Sequence, residues 1–386
     1  MRSAIDALLH ERERLGLQRD HVFCTDMADG PFVEENGRRY LSFCSNDYLG
    51  LSQDARWQKM VAESFVAYRP SSSASRLAGG WDRLSAQAEA AYAAYFGYED
   101  CLFFPSGYQG NLSLMTGLIR KGQPVLADRR IHASAAHALV ASGCSLYPYA
   151  HNDMDHLERR LKALQSDWQP VVVTESLFSM DGTLTSVSAL AALKKQYGFF
   201  LIADEAHAAG CLGSGGRGVF SEAKGTADVV LCTLGKGCGF FGAFALLPKG
   251  FASALQNLAS AVMHSTALPP AHASACLKLL DFLPALEPER KKLAANARFF
   301  REELACCGIP FQGEAHIVSV PAGPEASAHR LASQLKQAGV LVLAARYPTV
   351  PYGKALLRFS ITAMHDKPLL KKTVQLLASL RDDCGI

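Results

Sequence analysis

Between residues 100 and 250, short apolar runs alternate with amphipathic stretches of helical period. Cys101–Phe104, Pro124–Ala127, Leu146–Tyr149, Val171–Thr174, Phe199–Ala203 and Val229–Thr233 are rich in Val, Leu and aromatic residues and predict strands. Between them, Asp155–Leu164 carries Leu157, Leu161 and Leu164 at helical spacing, and Ala189–Tyr197 follows the cap candidate Ser188. This alternation predicts an α/β fold around a large mixed, mostly parallel sheet. Helices cover both faces of such a sheet, so its strands can be apolar on both sides.

After residue 275 the pattern changes. A helix over Glu287–Cys306 leads to a strand near His316–Val320, a helix near Ser327–Gln337, and strands at Val340–Leu343 and Leu356–Ile361. A helix over Lys367–Leu380 follows. At 386 residues the chain exceeds the size at which one core stops growing. The expected organisation is an N-terminal helix and arm over 1–40, a large sheet domain over 41–275 and a smaller α+β domain over 276–386.

Composition excludes several classes. The net charge is +3 and no run of basic residues occurs, which argues against a nucleic-acid partner. No apolar run approaches the roughly 20 residues that span a bilayer, which argues against a membrane partner. The segment MRSAIDALLHERERLGLQ has no apolar stretch of the signal-peptide kind and reads as a charged amphipathic helix. The 11 cysteines are dispersed without a CxxC pair, as expected of free thiols in the cytoplasm. His132/His137 and His151/His156 are each spaced five apart, off a common helix face, so no metal site is expected. Two GxGxxG matches, Gly213–Gly218 and Gly237–Gly242, do not open a strand-to-helix unit and do not predict dinucleotide binding.

Function in open α/β sheets sits beyond the carboxyl ends of the strands. There this chain places Ser106-Gly107-Tyr108 entering a helix, Glu175 and Ser179 in a polar loop, Asp204 and His207, and Thr233-Leu-Gly-Lys236-Gly. A small turn at a helix N-terminus offers N–H groups to a phosphate. An acid, imidazoles, hydroxyls and one amine along a single edge are what pyridoxal 5′-phosphate requires. Asp204 is placed to keep a ring nitrogen protonated, and Lys236 to form a Schiff base. His132 is placed to lie over the ring, and His207 to donate to the phenolic oxygen.

The motifs Ser45-Asn46-Asp47-Tyr48-Leu49-Gly50, Phe178-Ser179-Met180-Asp181-Gly182, Asp204-Glu205-Ala206-His207, Thr233-Leu234-Gly235-Lys236-Gly237 and Ser265-Thr266-Ala267-Leu268-Pro269-Pro270 resemble those of the α-oxoamine synthases. The resemblance runs over nearly the whole chain. It implies the aspartate-aminotransferase-like fold type I of pyridoxal-phosphate enzymes and a homodimer with shared active sites. It further implies that Lys236 carries the cofactor and moves the substrate Cα proton. Asp204 would pair with the ring nitrogen, with His132 stacked on the ring and Ser179 and His207 on its phenolic side. Ser106, Gly107, Tyr108 and Thr233 would hold the phosphate, joined by Thr266 from the other subunit.

Arg358 would clamp the amino-acid carboxylate, with Asn46 and Glu175 near the reacting carbons. Arg346 and Thr349, in Arg346-Tyr-Pro-Thr349-Val-Pro, resemble the acyl site of one branch of the family. That branch condenses L-alanine with a pimeloyl thioester, on CoA or acyl carrier protein, to 8-amino-7-oxononanoate for biotin. Arg19 is the nearest match to a further acyl-site arginine. The chain departs from the family at Tyr68–Ala74, where glycines are usual, and at Ala208-Ala209, where Gly-Thr is commoner.

Overall fold

The computed structural model describes residues 1–15, 17, 25–26 and 30–384, and of residues 26 and 382–384 only the backbone. Arg19 lies outside the described residues. Contacts divide the chain into two units. The larger holds Leu49–Ser179 and Leu184–Arg290, and the smaller holds Met1–Tyr48, Met180–Thr183 and Lys291–Ile386.

The larger unit is built on seven strands: β1 (Asp100–Phe104), β2 (Pro124–Ala127), β3 (Ser145–Leu146), β4 (Val171–Glu175), β5 (Phe200–Asp204), β6 (Val229–Thr233) and β7 (Ala243–Leu247). Their order is β1-β7-β6-β5-β4-β2-β3. All neighbours pair in parallel except β7, which is antiparallel to both β6 and β1. Its first residue, Ala243, stands opposite both Thr233 and Phe104. The carboxyl ends of β1, β4, β5 and β6 therefore share one edge. The second GxGxxG segment is the return turn into β7.

Alternation along β1 and β7 explains the packing. Leu102, Phe104, Ala243 and Ala245 join one core with Leu114, Met115 and Leu139 of the helices Gly107–Leu118 and Ala133–Ser142. Phe103 and Phe244 face the other way, in edge contact with Tyr92 of helix Arg83–Phe96 at 4.9 and 4.8 Å between ring centres. The helix Pro270–Phe282 packs on Arg83–Phe96 and on Ala55–Ala67. For that reason residues 276–290, expected with the C-terminal domain, belong to the larger unit.

Three local expectations change. The run expected as a strand over Leu146–Tyr149 is a strand only at Ser145–Leu146, although Tyr147 and Tyr149 still donate to Val125 and Ala127 carbonyls at 2.8 and 2.9 Å. The helix expected after Ser188 starts at Val187, because Ser186 supplies the cap by accepting from the Ala189 amide. The polar loop expected after β4 is buried, and Glu175 still belongs to the strand.

In the smaller unit, Thr25–Asp26, Phe32–Glu35 and Arg38–Ser42 form antiparallel pairs, and Val340–Leu341 adds in parallel to the last. A second sheet joins Ile317–Gly323, Ala355–Ser360 and Leu343–Ala345. The single strand expected over Val340–Leu343 is thus two, one in each sheet. Phe43, Phe300 and Phe359 meet at 5.2 to 5.8 Å between ring centres at the centre of this unit's core. The helix Arg2–Arg14 buries none of its residues. No helix among the described residues is long and apolar enough to cross a membrane.

Candidate active site

Two carboxyl side chains end adjacent strands: Glu175 on β4 is the register partner of Asp204 on β5. Past the end of β5, the next turn carries His207, which is buried. Past β6 the turn 234–239 carries Lys236, and its Nζ lies 2.7 Å from His207 Nε2. The two expected reactive groups are therefore brought together by turns that leave neighbouring parallel strands.

Asp204 is held from two sides. Its Oδ1 accepts from the Ala206 amide at 2.9 Å, and its Oδ2 accepts from Asn111 Nδ2 at 2.9 Å. The same Asn111 Nδ2 donates to Ser134 Oγ at 3.0 Å, and Ser134 Oγ lies 2.7 Å from His132 Nδ1. The Ser134 amide also donates to His132 Nδ1, at 3.3 Å. Nδ1 is thus an acceptor, and the ring hydrogen sits on Nε2. Burial, helped by the charge of Lys236 and opposed by Asp204, lowers the His132 pKa, so the imidazole is neutral.

Glu175 is fully enclosed. Burial first, and the negative charge of Asp204 second, push its carboxyl well above the usual carboxylate range. Lys236 and the amides of His132 and Ser179 offset only part of this. Its Oε1 meets no hydrogen-bond partner among the described residues. A buried polar atom left unpaired costs about 1–3 kcal/mol, so this oxygen is suited to a ligand.

At the opposite end, Ser106 Oγ caps the helix Gly107–Leu118 by accepting from the Gln109 amide at 3.2 Å. A Cβ built on Gly107 would lie 3.9 Å from Thr233 Cβ, so the helix start adjoins the end of β6. Thr233 Oγ1 donates to the Gly242 carbonyl at 3.1 Å and accepts from the Gly235 amide at 3.2 Å. It therefore shapes the Lys236 turn as well as facing the helix start. Tyr108 is half exposed, and its hydroxyl pairs with His137 Nδ1 at 3.0 Å. Thr266 is exposed, and its backbone bridges Ser75.

In the smaller unit Arg358 is buried, at 3% exposure. It donates to Ser360 Oγ at 2.6 Å, Asn46 Oδ1 at 3.2 Å and Tyr48 Oη at 3.3 Å. Tyr48 in turn donates to Asn46 Oδ1 at 3.0 Å. Arg346 and Thr349 share the turn after Leu343–Ala345, where the Arg346 carbonyl accepts from the Thr349 amide at 2.9 Å and the Tyr347–Pro348 peptide is cis. Leu343 is the register partner of Arg358, so both arginines belong to one small sheet and its turn.

Asn111, Ser134, Tyr48 and Ser360 escape a reading by chemical type, because each is a common polar residue with no charge to flag it. Asn111 carries one usable signal: a polar side chain in a helix without charged residues, which must be paired if it is buried.

A pyridine ring with a phosphate tail fits this donor set. Lys236 and His207 supply an amine and an imidazole, Asp204 an oriented carboxylate, and His132 a neutral ring. The first turn of Gly107–Leu118 supplies amide N–H groups, and Glu175 Oε1 is a polar atom left unpaired among the described residues.

A family profile described as aminotransferase class I and II matches residues 38–377. The 8-amino-7-oxononanoate synthase of Geobacter sulfurreducens is 36% identical over 364 residues, 93% of each chain. Among solved structures, serine palmitoyltransferase of Sphingomonas wittichii superposes with a TM-score of 0.91 at 27% identity, over 99% of this chain and 98% of that one. The 8-amino-7-oxononanoate synthase of Francisella tularensis gives 0.77 at 26% identity, over 90% and 99%.

Proposed function

We infer the reaction from a premise: this chain belongs to the aminotransferase class I and II family, and within it to the α-oxoamine synthases, enzymes that work with pyridoxal 5′-phosphate. The proposed reaction joins L-alanine to a pimeloyl thioester, carried on CoA or acyl carrier protein. The new carbon–carbon bond forms at the alanine Cα, the alanine carboxylate leaves as carbon dioxide, and the carrier leaves as free thiol. The product is 8-amino-7-oxononanoate. The 36% identity to a synthase of that name supports this choice of substrates.

The observation that carries the reading is the Lys236–His207 contact at 2.7 Å beside the held carboxylate of Asp204. When bound, the cofactor supplies an electron sink for the charge left at Cα. Asp204 would keep the ring nitrogen protonated, His132 would face the ring, and Ser179 and His207 would serve its phenolic side. Lys236 takes and returns the Cα proton. His207 Nε2, 2.7 Å from Nζ, stands within hydrogen-bond reach of the amine that transfers the proton.

Ser106, Gly107, Tyr108 and Thr233 hold the phosphate, and Thr266 reaches it from a second copy of the chain. Arg358 binds the alanine carboxylate in the two-pronged manner of a guanidinium. Asn46 and Glu175 stand near the reacting carbons, and Arg346 and Thr349 meet the acyl chain. A cytoplasmic homodimer is the form in which this would operate.

A second reading, serine with a long-chain acyl-CoA, is favoured by the TM-score of 0.91 to serine palmitoyltransferase. The two separate in one experiment. Purified holoenzyme is given L-alanine, glycine or L-serine with pimeloyl-CoA, pimeloyl-acyl carrier protein or palmitoyl-CoA, and products are identified by mass. Release of 8-amino-7-oxononanoate from alanine supports the first reading. A product only from serine and palmitoyl-CoA replaces it with the second.

A further inference from the structure

Glu205, next to the carboxylate just described, has no part in that chemistry, yet it is almost wholly buried, at 1% exposure. Its Oε1 accepts from the amides of Val219 and Phe220 at 2.7 and 2.9 Å. Its own carbonyl accepts from the amides of Ala208 and Ala209, both at 2.9 Å, and so closes the turn that holds His207. The carboxyl thus ties the His207 turn to the far end of the loop 210–218.

That loop contains the glycine motif left without a nucleotide to bind, and the last glycine of the motif has a packing reason. A Cβ on Gly218, whose φ is +87°, would lie 1.6 Å from Glu205 Oε2. A Cβ on Gly237, the residue after Lys236, would lie 2.4 Å from Cys211 Sγ and 2.9 Å from the Ala209 carbonyl. The backbone is bare at both points so that the Lys236 turn, the His207 turn and the 210–218 loop can pack in contact.

We propose that Glu205 is a positioning residue: by gripping the Val219 and Phe220 amides it presses the 210–218 loop onto the two turns and sets the distance between His207 and Lys236. Asp204 and His207 flank it in the chain, so an error at Glu205 is passed to both. The inference rests on the assignment of Lys236 and His207 above, and its test includes one measurement that does not.

Three variants are compared with the parent: Glu205→Ala, Glu205→Gln, which keeps an acceptor oxygen in place, and Val219→Pro. The last removes one donor where φ is already −74°. In cofactor-free protein, hydrogen exchange at Val219 and Phe220 should be faster by about tenfold or more in Glu205→Ala and near parental in Glu205→Gln. In the holoenzyme, the midpoint of the pH titration of the cofactor's visible band, which reads the surroundings of Lys236, should move by about one unit in Glu205→Ala alone of the two. The kcat should fall about 100-fold with KM for alanine nearly unchanged, and Glu205→Gln should restore it.

Should Glu205→Ala not fold, Val219→Pro is expected to show the same three changes in smaller degree. Parental exchange rates in Glu205→Ala, or in Val219→Pro at Phe220, would mean that Glu205 does not hold the loop. Faster exchange with an unmoved band and unmoved kcat would mean that it holds the loop without positioning the pair. Absence of turnover in the parent would count against the proposed reaction, leaving the exchange and the band titration to decide this inference.

Discussion

Asn111 gives one amide group to Asp204 Oδ2, at 2.9 Å, and to Ser134 Oγ, at 3.0 Å, and Ser134 passes the connection on to His132. One side chain on a helix thus sets both the carboxylate and the imidazole that are proposed to address the two aspects of a single ring.

Asn111→Leu should weaken cofactor binding and lower kcat by about tenfold to 100-fold, since it leaves a partly buried carboxylate oxygen short of a donor. Asn111→Asp should be worse than Asn111→Leu, because it sets a second negative charge beside Asp204. Cofactor titration by absorbance and steady-state kinetics measure both. Equal effects of the two substitutions would show that size, not charge, is what matters at this position.

Lys236→Ala should abolish the covalent cofactor band and slow exchange of the alanine α-proton into deuterated water by on the order of 1,000-fold or more. Lys236 is only partly buried, so the melting temperature of the cofactor-free protein should hold within a few degrees. Proton exchange followed by NMR reads this step alone. Exchange at the parental rate would transfer the role to another base.

Arg358→Lys should raise KM for L-alanine by about tenfold to 100-fold, because an ammonium cannot reproduce the fork of donors. The cofactor band should be unaffected. The reverse pattern, with the band lost and KM unchanged, would place Arg358 with the cofactor instead of the substrate.

Burial raises the Glu205 carboxyl to about 7 against an ordinary value of 4.5, with the Phe220 and Val219 amides opposing the rise. Between those two pH values the folded chain binds the proton more readily than the unfolded one. Stability from this group is therefore present at about pH 4.5 and is lost as pH rises toward 7, to the extent of about 3 kcal/mol. Glu205→Gln should remove this dependence. Its urea-unfolding free energy relative to the parent should grow by that amount from pH 4.5 to 7.5. A pH-independent difference would mean that Glu205 is already ionised in the fold.

Continuous apolar runs mark strands covered on both faces, so β4, β5 and β6 could be read nearly to the residue, and with them the positions of Asp204, Thr233 and Lys236 at or just past strand ends. They decide much less where pairing is short or changes partner. Tyr147 and Tyr149 continue the hydrogen bonding of β3 without completing a ladder, and Val340–Leu343 divides between two sheets. The cap expected at Ser188 falls instead to Ser186, which the backbone path at Val187 selects.

The sequence by itself determined which chemical groups stand at the strand ends and in what order, because strand burial and turn composition are local properties of neighbouring residues. Only the tertiary structure decided what those groups touch. The Asn111–Asp204 bond joins residues 93 positions apart, and the Lys236–His207 contact joins residues 29 apart. Gly218 could be read in the sequence as part of a motif, but its reason could not. That reason is the space Glu205 needs beside Gly218, a distance set by how two turns and a loop pack, which no local pattern records.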